Sequence, residues 1–312
     1  MELLSIPGEE LAGLLRLAAD LKRKQRLGIV QQHLEGKMLG LLFQKPSTRT
    51  RVSFEAGMNQ LGGQAMVLPM ADIQLSRGES IADTARVLSR YLDGLVIRTF
   101  DHAIVEEWAR EATIPVINGL TDLSHPCQAL SDLFTIQEKK RRLRGIKIAY
   151  VGDGNNVTNS LIEASAKMGM CIAVGCPAGY LPDQHIVDKA RMEAQKTGAT
   201  VDILQDPHVA VKDADVVYTD VWISMGRERE QARRLKTLAP YQLNERLLKR
   251  AKPDAIVMHC LPAHRGEEIT AAVLDGPQSV ILDQAENRLH VQKAVLVRLL
   301  GRQGARASRA VS

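Results

Sequence analysis

The chain has 312 residues, of which 45% are hydrophobic, 25% charged and 4% aromatic. At about 150 residues per domain this length fits two domains, each able to bury a core without a disulfide or metal staple. The apolar content is too high for disorder, and no apolar run reaches the ~18 residues of a membrane span. The formal net charge is +5, and residues 301–312 carry three arginines and no acid. A nucleic-acid groove wants basic residues interleaved with aromatics, but the four Phe, five Tyr and two Trp are scattered. A basic pocket for a small anionic substrate fits this charge better. The four cysteines, Cys127, Cys171, Cys176 and Cys260, form no C-x-x-C pair. They therefore suggest neither a zinc site nor a thioredoxin motif, and fit reduced thiols in a cytoplasmic protein. The first residues include Glu2, Glu9 and Glu10 and no basic leader, so neither a signal nor a transit peptide is expected.

In chain order, short apolar runs alternate with amphipathic stretches. Residues 38–43, 65–68, 94–97 and 115–117 have the continuous apolar character of buried parallel strands. Helical patterns over 51–61 and 81–91 lie between them, and the short lead-in before Leu11 predicts a trimmed first helix. A longer helix is predicted over 127–142, stopped by the basic run at 139–142 and by Gly145. A second set of strands follows at 147–151, 171–175, 200–204, 215–219, 255–259 and 280–282, with helical stretches between most of them. A last helix is expected over 286–300. Such alternation implies parallel sheets with right-handed crossovers, an α/β protein. The predicted division is 1–142, 143–285, a C-terminal helix over 286–302 and a basic tail over 303–312.

Five constellations carry chemistry. In Phe43-Gln-Lys-Pro-Ser-Thr-Arg-Thr-Arg51, Pro46 ends a strand and Ser47 is suited to cap a helix beginning at Thr48. Free N–H groups at that helix start, the hydroxyls of Ser47, Thr48 and Thr50, and the charge of Arg49 suit an oxyanion such as phosphate. His125-Pro-Cys-Gln128 opens the helix after a strand, where His125 can donate to a developing oxyanion or shuttle a proton. Val151-Gly-Asp-Gly-Asn-Asn156 superficially suggests a dinucleotide loop. The third glycine is replaced by Val157 and no acid ends the next strand, so no nicotinamide cofactor is expected. Thr219-Asp220 ends another strand, with Asp220 placed to meet an ammonium; the charged stretch 227–236 beyond it has the composition of a mobile loop or lid. The fifth is His259-Cys-Leu-Pro-Ala-His-Arg-Gly266. Sequence alone places no base beside Cys260, which favours a positioning role over a nucleophile. The spacing of His259, Cys260 and His264 matches no common zinc pattern.

Taken together, in this order and at this spacing, these strings resemble the ornithine carbamoyltransferases over residues 11–300. The matching segments are Ser47-Thr-Arg-Thr-Arg51, His125-Pro-Cys-Gln128, Asp220 with Ser224-Met-Gly226, His259-Cys-Leu-Pro262 and Asp283-Gln-Ala-Glu-Asn-Arg288. The resemblance implies two parallel α/β domains, with the C-terminal helix packing back on the first. It implies transfer of the carbamoyl group of carbamoyl phosphate to the side-chain amine of L-ornithine, giving citrulline and phosphate, as in arginine biosynthesis. Ser47, Thr48, Arg49 and Thr50 would hold the phosphate. Arg98 and His125 would engage the phosphate and the carbonyl oxygen, and Gln128 the carbamoyl amine. Cys260, Leu261 and Arg288 would complete the reaction centre, making Arg49, Arg98, His125 and Cys260 the expected catalytic set. Asn156, Asp220, Ser224 and Met225 would bind ornithine. Gln74 resembles a residue lent by a neighbouring subunit, which implies a homotrimer or a multiple of trimers. Neither a metal nor a cofactor is required. The Ser-Met-Gly string favours ornithine over alternatives such as putrescine or an acylated ornithine.

Overall fold

The computed structural model describes residues 3–223 and 228–301, apart from the side chains of Ser76 and Glu228. The chain divides into two units. One contains Glu9–Leu130 and the chain from Asn287 onward; the other contains Ser131–Glu286 and the N-terminal segment ending at Gly8.

The first unit takes its elements in the order α1 (Gly8–Arg26), β1 (Met38–Phe43), α2 (Thr48–Gln60), β2 (Gln64–Pro69), α3 (Ile81–Leu88), β3 (Gly94–Arg98), α4 (His102–Glu111), β4 (Val116–Leu120) and the start of α5 (Pro126–Lys140), whose residues from Ser131 on count with the second unit. Its four strands are all parallel, in the order β2-β1-β3-β4. β1 and β3 are the inner pair. They are apolar along nearly their whole length because both faces are covered, and β3 is buried at every position. Leu42, Leu95, Ile97, Val105 and Trp108 form the core of one face. Each such side chain stabilises the fold by roughly 1.5–3 kcal/mol when fully buried. Ser47, Ser80 and Asp101 accept backbone N–H bonds at the starts of α2, α3 and α4, which sets where each strand-to-helix connection ends. The first helix is not trimmed: α1 spans 19 residues.

The second unit runs β5 (Lys147–Val151), α6 (Asn156–Met168), β6 (Cys171–Gly175), α7 (Gln184–Thr197), β7 (Val201–Leu204), α8 (Pro207–Val211), β8 (Val216–Thr219), α9 (Gln231–Leu238), α10 (Glu245–Leu248), β9 (Ile256–His259) and α11 (Ala271–Leu274), followed by the start of α12 (Ile281–Leu300). Its sheet is also parallel, in the order β7-β6-β5-β8-β9. Val151, Val217, Val257 and Ile269 lie in its core. α6 and α7 end on Gly169 and Gly198, both left-handed.

From Asn287 on, α12 packs within the first unit. Lys22 Nζ donates to Asn287 Oδ1 at 2.7 Å, and the fully buried Lys293 donates to Gln25 and Gln60 at 3.0 and 3.2 Å.

Two further expectations fail. Residues 280–282 form no strand. The edge of β9 is bridged at Ser279, but α12 has already begun at Ile281, five residues before the predicted start at 286. A three-residue apolar run does not distinguish a strand from the first turn of a buried helix. The stretch 227–236, expected as a mobile loop or lid rather than a solvated helix, is helical from Gln231, and Arg234, one of its charges, is buried against partners described below; residue 227 lies outside the described residues.

Candidate active site

In the first sheet the chain leaves β1 for β2 on one side and returns to β3 on the other. The carboxyl ends of such a switch are where α/β folds bind ligands. Eight predicted residues of the first unit, Ser47, Thr48, Arg49, Thr50, Arg98, His125, Gln128 and Arg288, belong to this end of the sheet. Thr50 N–H donates to Ser47 Oγ at 3.2 Å, closing the cap and leaving the first turn of α2 with its N–H groups forward. Thr48 and Arg49 are exposed at this start, while Thr50 is buried. Arg98, the last residue of β3, and His125, just before α5, are both buried. Arg288 arrives on α12. Its Nη1 donates to Gln128 Oε1 at 2.6 Å and its Nη2 to Thr50 Oγ1 at 3.2 Å, so it links the two predicted motifs.

His125 feels this assembly. Burial first, then the charges of Arg288, Arg98 and Arg49, hold its imidazolium well below the ordinary histidine range. The ring is therefore neutral at neutral pH, a hydrogen-bond donor or acceptor among three cations. Such an arrangement is built for an anion with a polarisable oxygen. Cys127, beside it, is a buried thiol pushed up to about 11 by burial. Gln74 stands apart: it is exposed in the turn Gln74–Arg77, and its side chain makes no bond to this cluster among the described residues.

In the second sheet the switch lies between β5 and β8. After β5 the loop must pass tightly under residues 180–182: a Cβ on Gly154 would lie 2.3 Å from Pro182 N and 2.5 Å from Leu181 C, so only glycine fits. Asn155 caps α6, its Oδ1 accepting from Val157 and Thr158 N–H. Its Nδ2 donates to Asp220 Oδ2 at 2.7 Å. Asp220, buried after β8, also accepts from Val221 N–H at 2.8 Å and from Cys260 Sγ at 2.8 Å. Predicted Asn156 is the half-buried first residue of α6; the amide that holds Asp220 is that of its neighbour Asn155. Ser224 and Met225 lie outside the described residues.

The turn after β9 is held by His259. Leu261 N–H donates to His259 Nδ1 at 2.9 Å, so the ring carries its proton on Nε2, which faces Glu268 Oε1 at 3.2 Å. Leu261 sits at φ 59, a left-handed conformation costly for a branched side chain, and this bond helps hold it there. Glu268 Oε1 also accepts from His264 N–H at 2.6 Å.

Donor atoms of Asp220, His259 and Cys260 lie within 4.8 Å of one another, as do those of His264, Glu267 and Glu268. Either group has the chemistry of a cation site. In the first, both ring nitrogens of His259 and the thiol of Cys260 already have protein partners.

Sequence reasoning missed Asn155, Glu268 and the buried pair of Asp153 with Arg234. Arg234 pairs with Asp153, donates through Nε to Trp222 O at 2.6 Å and lies over the Tyr180 ring at 4.9 Å. Only Asp153 carried a signal, its place between two glycines of the loop; Arg234 was one charge in a charged run.

The halves correspond to known sequences. The carbamoyl-phosphate-binding domain of the aspartate/ornithine carbamoyltransferases matches residues 1–138, and the aspartate/ornithine-binding domain matches residues 144–299. The chain belongs to the aspartate/ornithine carbamoyltransferase family. An ornithine carbamoyltransferase of Syntrophus aciditrophicus is 62% identical over 279 residues, covering 89% of this chain and 91% of the relative. An anabolic ornithine carbamoyltransferase of Pyrococcus furiosus is 56% identical over 293 residues, covering 94% and 93%. Among solved structures, the ornithine carbamoyltransferase of Pyrococcus furiosus superposes with a TM-score of 0.93 at 55% identity, covering 96% of this chain and 95% of that one. The anabolic enzyme of Campylobacter jejuni superposes at 0.90 with 38% identity, covering 96% and 97%. Members of this family thus share the two parallel sheets and their helices across nearly the whole chain.

Proposed function

We infer that this protein transfers the carbamoyl group of carbamoyl phosphate to the side-chain amine of L-ornithine, giving L-citrulline and phosphate in arginine biosynthesis. The observation that carries this reading is a buried, neutral His125 ringed by Arg49, Arg98 and Arg288 at a capped helix start, in a chain of this family.

The chemistry needs three things: a neutral amine, a polarised carbonyl and a stabilised leaving phosphate. In the first unit the N–H groups at the start of α2, the hydroxyls of Ser47, Thr48 and Thr50, and the three arginines hold the phosphate. Neutral His125 donates to the carbonyl oxygen, on which negative charge grows during attack. Gln128, whose Oε1 accepts from Arg288, is assigned to the carbamoyl amine. In the second unit Asp220, held by Asn155, receives the α-ammonium of ornithine, and Asn156, Ser224 and Met225 are assigned to the same substrate. The side-chain amine is left free. Cys260 and Leu261 line the reaction centre, and the thiol, donating to Asp220, acts as a polar contact rather than a nucleophile. The amine lone pair forms the new C–N bond. The C–O bond to phosphate breaks, its electron pair leaves with phosphate, and the proton lost by the amine passes to the departing phosphate. Fixed charge and positioning supply the acceleration.

We further propose a cytoplasmic homotrimer, or a multiple of trimers, with Gln74 lent to the neighbouring subunit. Its exposure in a surface turn supports this reading, as do the exposed apolar side chains of Met66, Val87 and Tyr91 on the same unit. Because the amine must be neutral to attack, turnover at saturating carbamoyl phosphate should climb with pH toward the amine's own pKa. A rate flat between about pH 6 and 9, with chemistry limiting, would contradict direct attack.

A further inference from the structure

The outer edge of β9 is completed by a side chain. Val257 N–H donates to Gln278 O at 2.8 Å, and Val280 N–H returns to Val257 O at 3.0 Å, as in a parallel ladder. The next rung would join His259 N–H to the Val280 carbonyl. That carbonyl is already taken, at 2.9 Å, by Gln284 N–H in the first turn of α12. The Gln284 side chain makes the rung instead: its Oε1 accepts from His259 N–H at 2.9 Å.

The amide is locked in this orientation. Its Nε2 donates to Asp132 Oδ1 at 2.8 Å and to the Tyr218 hydroxyl at 3.0 Å, and that hydroxyl donates to Asp132 Oδ2 at 3.1 Å. Turning the amide over would set NH₂ against the His259 N–H and oxygen against a carboxylate. Asp132, Tyr218, His259 and Gln284 are all buried, and a polar network satisfied in the interior specifies one geometry. The residue it fixes, His259, is the one before Cys260. Beyond Cys260, Leu261 N–H is bound to the His259 ring. The turn is thus gripped on its main chain by Gln284 and from within by imidazole.

We propose that Gln284 is a positioning residue for Cys260: anchored on Asp132, it fixes the backbone at His259 and so holds the thiol on Asp220. The catalytic consequence rests on assigning Asp220 and Cys260 to the amino-acid site, so the test reads geometry and turnover separately. Gln284→Met keeps the volume and removes both amide functions. Cys260 alkylation by iodoacetamide, followed by peptide mass analysis with no substrate present, should change its rate–pH profile. Cys127 and Cys176, held up to about 11 and about 12 by burial, serve as unreactive internal controls. Turnover should fall about 10- to 100-fold, the scale of a misplacement near 1 Å, while carbamoyl phosphate affinity by calorimetry stays at wild type. Tyr218→Phe leaves the Gln284 bonds to Asp132 and His259 in place and should behave like wild type in both assays. Gln284→Glu, its carboxyl sharing one proton with the neighbouring Asp132, keeps a donor toward Asp132, an acceptor for His259 N–H and the net charge of the pair, and should restore the wild-type alkylation profile; it decides the matter if Gln284→Met does not fold. A folded Gln284→Met protein with a wild-type alkylation profile overturns the proposal, and so does a Gln284→Glu profile unlike wild type or an equal loss in Tyr218→Phe. A changed profile with unchanged turnover upholds the positioning of Cys260 and overturns instead its place at the reaction centre.

Discussion

Replacing Arg288 by Met separates stability from ligand binding. In the free protein the guanidinium makes hydrogen bonds to Gln128 and Thr50, but it is buried beside a ring also facing Arg98 and Arg49. The bonds are worth about 1.5–3 kcal/mol each. Against them stands an effective desolvation cost of several kcal/mol for a buried ion. The two nearly offset, so the free variant should keep a stability within about 2 kcal/mol of wild type. Carbamoyl phosphate changes the balance, because the lost charge-assisted contact weakens its binding by about 1.5–3 kcal/mol, or about 10- to 150-fold. At a concentration about 100 times the wild-type Kd, ligand should stabilise wild type by about 2.7 kcal/mol. A variant weakened about 100-fold gains only about 0.4 kcal/mol. Urea denaturation at 25 °C with and without carbamoyl phosphate reads both numbers. A variant that is stabilised by ligand as much as wild type would refute the placing of Arg288 in an anion site.

Asp220→Asn keeps the shape of the second-unit site but not its charge; the ornithine KM should rise by about 10- to 100-fold, and calorimetry should find carbamoyl phosphate binding unchanged. Loss of carbamoyl phosphate binding first would show that the amino-acid pocket is misplaced. For His125 the folded state resists protonation while the unfolded chain titrates near 6.5, so the unfolded state binds more protons and stability falls as pH drops below that value. This contribution has a slope of at most about 1.4 kcal/mol per pH unit, which His125→Gln should lack in denaturation measured across this range. A difference between the two proteins that does not vary with pH would contradict the buried neutral ring. Arg234→Met leaves Asp153 buried and without its cation, which should cost about 3–5 kcal/mol; adding Asp153→Asn should recover much of it. A single-variant loss below about 1 kcal/mol in chemical denaturation would mean the pair does not hold this loop.

The parts of this molecule that local chemistry determines were legible. β1, β5 and β6 run over the residues predicted because inner parallel strands are continuous apolar runs, and Ser47 caps α2 as a Ser after Pro should. The residues that long-range pairing determines were not. Asn155 and Asn156 are chemically identical in sequence; only the start of α6 between them decides which amide turns to Asp220. Arg234 and Asp153 are 81 positions apart, and nothing in the charged stretch marks the arginine that is buried. The same holds for Glu267 and Glu268, of which only the second is fully buried against His259. The false strand at 280–282 has a related origin: its first residue does pair with β9, and the helix then takes over the carbonyl that would continue the ladder.

The most direct measurement mixes the protein with carbamoyl phosphate and L-ornithine and quantifies ureido product and phosphate together, with putrescine and an N-acylated ornithine in parallel. Citrulline and phosphate should appear in equal amounts from L-ornithine, with little product from the other amines. Absence of citrulline, or equal use of putrescine and ornithine, would contradict the assignment of carbamoyl transfer to the ornithine side chain.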